Sequence, residues 1–69
     1  MNRVDRIIIT LRNGKRIGHH SCDLLNVFYE IDEIALRVRA SSPVSDSDYL
    51  YPFNFIEHIN ISNSKSNII

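Results

Sequence analysis

The feature that most constrains this chain is the run Arg6-Ile7-Ile8-Ile9-Thr10-Leu11-Arg12 followed at once by Asn13-Gly14. β-Branched residues ending in Asn-Gly are the strongest short-range signal for a β-hairpin. The register follows from asking which pairing sets apolar against apolar. A two-residue Asn-Gly turn places Ile9 opposite Gly18 and Leu11 opposite Arg16, which mixes the two faces. A three-residue loop Arg12-Asn13-Gly14, with Gly14 left-handed, places Ile9 opposite Ile17 and Ile7 opposite His19. A one-residue slip sends every side chain to the wrong face, so the second register is the one expected. Ile7, Ile9, Leu11 and Ile17 then face a core, and Arg6, Thr10, Arg12 and Arg16 face away. Ile8 falls on the outer face, where it needs a covering layer.

Further strands are legible downstream. Ile34, Leu36, Val38 and Ala40 alternate with Arg37 and Arg39, which gives the clearest strand of the chain. Residues 41–48 are rich in Ser, Pro and Asp and read as an exposed loop. Tyr49–Ile61 reads as a strand, a short turn around Pro52–Asn54, and a closing strand near 55–61, because proline cannot donate to a central ladder. Residues 21–31 satisfy two periods at once. Leu24, Phe28 and Ile31 share a helical face, while Val27, Tyr29 and Ile31 alternate as a strand. The reading adopted is a short turn or helix at 21–25, with 21–28 as the widest span for a helix, then strand from about 26.

The sum is an all-β chain: a small five-stranded barrel or a strongly bent antiparallel sheet over 1–61, with a polar tail at 62–69. Closure would protect its apolar strands from edge-to-edge pairing. A chain of 69 residues is one domain with a thin core, burying only about 60% of its unfolded surface. Such domains lean on disulfides, a metal or partners. Cys22 is the sole cysteine, which rules out an internal disulfide and favours a reducing, cytoplasmic setting. No apolar stretch approaches the ~18 residues of a membrane span, and the charged N-terminus is unlike a signal peptide.

Eight basic and eight acidic residues cancel, which argues against non-specific nucleic-acid binding. Their distribution is uneven. Residues 1–20 carry Arg3, Arg6, Arg12, Lys15 and Arg16 against Asp5, whereas 21–36 carry Asp23, Glu30, Asp32 and Glu33 with no base. Such segregation suits head-to-tail assembly, although solvated strand faces give the same pattern.

The layout resembles the SH3-like barrels of the Sm-like family. Ile8-Ile-Thr-Leu-Arg-Asn-Gly14 followed by Gly18 is similar to that family's first hairpin. Ile31-Asp-Glu-Ile-Ala-Leu36 is similar to its entry into the third strand. Tyr51-Pro-Phe-Asn-Phe-Ile56, with Ile59 and Ile61, is similar to its closing segment. The resemblance spans residues 6–61 and implies a barrel and a ring-like homo-oligomer. Gly18 stands one residue early, about eight residues are added before Asp32, and Tyr51-Pro52-Phe53 replaces the basic pair expected before the last strand. Those missing residues are the ones that clasp uridine-rich RNA in the family, so the resemblance does not carry RNA binding to this chain.

Three constellations bear on function. His19, His20 and Cys22, with His58 distant in sequence, are all zinc-ligand types, and a thin domain would gain from a metal. Adjacent histidines on a strand point to opposite faces, and no Cys-x-x-Cys or His-x-x-x-His spacing is present, so the expectation is no metal or other cofactor, surface histidines and a buried thiol. A Cys22–histidine nucleophile would also need an oxyanion hole and a pocket, which a domain this small has little room for; a non-enzymatic role is expected. Tyr29, Tyr49, Tyr51, Phe53 and Phe55 form the aromatic set, read first as core and, where exposed, as protein interface.

The expected function is therefore a protein-interaction module working as a homo-oligomer, with Arg37, Arg39, Tyr49, Tyr51 and Phe53 as contact residues. Compact domains of this kind, phage-borne ones among them, commonly serve as inhibitors or accessory factors. Two other readings are single-stranded nucleic-acid binding by an Sm-like ring, through aromatics and arginines, and a small-molecule sponge with its pocket between subunits.

Overall fold

The opening hairpin forms in the expected register. In the computed structural model, which describes residues 1–63, β1 (Asn2–Val4) precedes β2 (Arg6–Leu11) and β3 (Arg16–His20). Ile9 pairs with Ile17 and Ile7 with His19. The loop is the three-residue Arg12-Asn13-Gly14: the Leu11 amide donates to the Lys15 carbonyl at 2.8 Å, the Gly14 amide to the Leu11 carbonyl at 2.9 Å, and Gly14 has φ of 92°. The Asn13 side chain accepts from the Lys15 amide at 2.9 Å, which holds the turn from inside.

After the hairpin, the chain turns at Cys22–Leu25 and enters β4 (Asn26–Ile31), followed by β5 (Ala35–Ser41) and β6 (Asp46–Pro52). A single 3-10 turn over Phe53–Phe55 leads to β7 (Ile56–Ser62). Pro52 therefore ends a strand, as its missing N–H requires.

The all-β expectation holds, and its details need correction. Seven strands form rather than five, in two antiparallel sheets ordered β1-β4-β5-β6 and β3-β2-β7. Among the described residues no ladder joins the two, so the barrel is not closed, although the arrangement is compatible with a barrel-like fold. No helix forms over 21–28, because Val27, Tyr29 and Ile31 satisfy the strand period against β5 and the β-branched and aromatic side chains decide it. The polar 41–48 loop shrinks to a turn at 42–45, with Ser42 and Ser45 exchanging hydrogen bonds; Ser41 and Asp46–Asp48 are paired strand residues. Ile34 lies in the β4–β5 turn at 78% exposure instead of facing the core. Ser62 belongs to β7, and the remainder of the expected tail, 64–69, lies outside the described residues.

The core lies between the sheets. Val4, Val27, Leu36 and Val38 from one sheet meet Ile7, Ile9 and Ile56 from the other, with Leu11, Tyr29, Tyr51, Phe53 and Ile59 packed around them. At about 1.5–3 kcal/mol for each fully buried aliphatic side chain, this small set is the main stabilising term. Ser21 sits at the passage between sheets. Its Oγ donates to the Val4 carbonyl at 2.6 Å and accepts from the Val27 amide at 2.8 Å, and its own amide donates to the Asp5 carbonyl at 2.8 Å. Among the described residues no helix is long and apolar enough to cross a membrane.

Candidate functional site

The expected contact residues divide between two faces of β5 and β6. Strand alternation sends Leu36, Val38, Tyr49 and Tyr51 inward, and sends Arg37, Arg39, Asp48 and Leu50 outward. Phe53, in the 3-10 turn, packs against the core. The structure therefore brings Arg37 with Arg39, and Tyr49 with Tyr51, but not all five onto one surface.

The outward group lines an open groove of ≈ 460 Å³ that also takes in Met1, Glu30, Val38 and the half-exposed Tyr49. Both arginines are held. Arg37 Nε lies 2.8 Å from Asp32 Oδ2, and Arg39 Nε lies 2.7 Å from Asp48 Oδ1 across the β5–β6 ladder. The hydrogen bond from Arg39 pulls the Asp48 carboxyl below its ordinary range. Holding charges in pairs leaves the apolar parts of the groove, Met1 and Leu50 at 50% and 60% exposed, as its unsatisfied component. No sequence signal marked Met1 or Leu50, since neither breaks an alternation.

The inward group forms a small aromatic cluster where the β3 and β6 edges approach each other. His19 lies 4.7 Å from Tyr49 and 6.0 Å from Tyr51 between ring centroids, and the two tyrosines stack at 6.5 Å with 10° between planes. His19 Nε2 and the Tyr51 hydroxyl are 2.7 Å apart. Burial lowers the His19 pKa, and the charge of neighbouring His20 lowers it further. Burial raises the Tyr51 pKa, with Tyr49 adding to it. A neutral imidazole and a neutral phenol sharing one hydrogen bond make a structural pair. The cluster ties β3 to β6 across the two sheets.

The zinc-ligand types are scattered. His19 points between the sheets, and His20 and His58 lie on the outer face of the three-stranded sheet, opposite Arg6 and Thr10. With β2 between them and four residues of offset along it, the two backbones are roughly 17 Å apart. Cys22 sits in a turn and is exposed, which corrects the expectation of a buried thiol: its side chain falls outside both sheets. Among the described residues no group of three or more His, Cys, Asp or Glu could hold a metal ion.

No family model, curated protein or solved structure matches this chain significantly. The Sm-like resemblance therefore rests on the sequence pattern alone.

Proposed function

We propose that the chain is a non-enzymatic protein-interaction module that acts as a homo-oligomer, in the manner of a small inhibitor or accessory factor. The supporting observation is the groove on the outer face of β1-β4-β5-β6, where exposed Met1 and Leu50 are framed by ion-paired Arg37 and Arg39. An apolar centre with a charged rim is the anatomy of a protein interface. Arginines already oriented by carboxylates reach a partner with less loss of side-chain freedom. The nucleic-acid reading gains less, because of the two β6 tyrosines only Tyr49 lines the groove beside the arginines, while Tyr51 packs against the core.

The test compares the chain with a Leu50→Asp/Arg37→Glu variant by light scattering and by co-purification from cells. The expected result is a mass above that of one chain, or one partner protein in stoichiometric yield, with either one lost in the folded variant. A monomer that retains no protein, or a variant that behaves like the parent, overturns the reading.

A further inference from the structure

Five of the six arginines of this protein fall into two groups, and the sixth, Arg12, donates from Nε to the Asn54 carbonyl at 2.9 Å. Arg3, Arg37 and Arg39 each end on a carboxylate at 2.7–2.9 Å. Arg6 and Arg16 are exposed, and neither has an ion-pair partner among the described residues. Both project from the outer face of the three-stranded sheet.

Strand registers fix what surrounds them. Across β3, β2 and β7 the outer face carries three rows: His20, Arg6 and Ser62; then Gly18, Ile8 and Asn60; then Arg16, Thr10 and His58. The acids that adjoin these rows along the chain are Asp5, which pairs with Arg3, and Glu57, the extra residue at the register shift beside His58. Within the rows themselves there is no carboxylate. Ile8 is half-buried, and the His20 ring reaches over Gly18 beside it, with Nε2 3.3 Å from where a Cβ would stand. The surface is thus two cationic rows flanking a row in which Ile8 is the one apolar side chain, with the outer rows roughly 14 Å apart along the strands.

We propose that this face docks an acidic protein segment, one that lies extended and presents carboxylates on either side of an apolar side chain. In an extended chain, residues i and i+4 are on one side and roughly 13–14 Å apart, which matches the separation of the two cationic rows. The carboxylates then meet Arg6 with His20 and Arg16 with His58, and the apolar side chain meets Ile8. Bidentate pairing to carboxylate suits arginine. A nucleic acid fits less well. Single strands are held by stacking on aromatics as well as by charge, and here the face carries none. Tyr29, Tyr49 and Tyr51 are inward, Phe28 is on the opposite sheet, and Phe53 and Phe55 are in the 3-10 turn. The proposal rests on the interaction-module reading but uses a different face and different residues.

The test is fluorescence anisotropy with a labelled peptide of repeating Glu-Thr-Leu-Thr-Glu, beside an oligothymidylate and vesicles containing phosphatidylserine. At about 20 mM salt the peptide is expected to bind saturably and to weaken steeply as salt rises, since exposed charges are screened. Arg6→Glu/Arg16→Glu should cost tenfold or more, and Ile34→Glu/Val44→Glu, which adds negative charge in exposed turns away from this face, less than twofold. If the charge reversal does not fold, Arg6→Gln/Arg16→Gln should still cost severalfold. Absence of peptide binding at low salt, tighter binding of the oligothymidylate or the vesicles, or equal losses in the two double variants overturns the proposal. None of these outcomes touches the Leu50 and Arg37 test of the groove, so the two can fail separately.

Discussion

At the scale of single residues, the two glycines make opposite demands. Gly14 has φ of 92° and open space where a Cβ would stand. Its need for glycine is conformational, and Gly14→Ala should destabilise by about 1–2 kcal/mol in denaturant unfolding. Gly18 has an ordinary φ, and a Cβ there would come within 3.3 Å of the His20 ring end, which can move. Gly18→Ala should therefore stay within about 0.5 kcal/mol of the parent. Equal effects at the two positions would contradict the loop assignment. His19 supplies a second prediction at this scale. Its pKa is lowered from 6.5, so below that pH the unfolded chain takes up a proton that the folded chain resists. The contribution of this group is complete above pH 6.5 and is lost as the pH falls through and below it. Unfolding free energy should drop between neutral pH and pH ~5, and His19→Gln should flatten that part of the curve. An unchanged slope would show that another group carries the dependence.

Elements were legible where one periodicity ruled. The hairpin register followed from Ile7, Ile9 and Ile17 alone, and the alternation of Leu36 and Val38 with Arg37 and Arg39 marked β5. Residues 21–31 were ambiguous because Leu24, Phe28 and Ile31 also fit a helix; pairing with β5 resolves this, and such pairing is non-local. The turn at 42–45 was overestimated because Asp46 and Asp48 resemble loop residues until Ser41 and Arg39 are seen opposite them. Of the residues that line the groove, Arg37, Arg39 and Tyr49 carried a sequence signal, while Leu50 and Met1 did not, since groove membership is set by which strands become neighbours. Ser21 carried no signal beyond opening the ambiguous stretch. Its actual role, bridging Val4 and Val27 with bonds of 2.6 and 2.8 Å, depends on strands that meet only in the fold. Ser21→Ala leaves a half-buried carbonyl and amide short of a partner, and should cost about 1–3 kcal/mol. Ser21→Thr, which keeps the hydroxyl, should recover part of it. If the alanine variant unfolds at the parent's midpoint, water has replaced the bridge.

For the whole molecule, the decisive quantity is how little the two sheets bury. Among the described residues eight apolar side chains are buried, while Leu24, Ile31, Ile34, Val44, Leu50 and Phe55 are each more than half exposed. These exposed side chains are not equivalent. Val44 and Leu24 sit in turns, where isolated apolar residues are ordinary surface. Leu50 and Met1 share one groove with a charged rim, which makes that face the economical place for a second copy to add to the core. Association that requires the folded chain stabilises it by mass action. For a dimer, each tenfold rise in concentration adds about 1.4 kcal/mol per dimer, which in a chain of this size raises the Tm by a few °C. Calorimetry across a hundredfold concentration range should show that rise for the parent. Leu50→Asp should abolish the concentration dependence with little effect on the Tm at the dilute end, since the side chain is mostly in water there. Phe55→Asp should leave the dependence intact, because Phe55 lies beside the Arg12–Asn13 turn and away from the groove. A Tm that does not move with concentration would mean that the thin core suffices alone, and that the groove is kept open for a different protein.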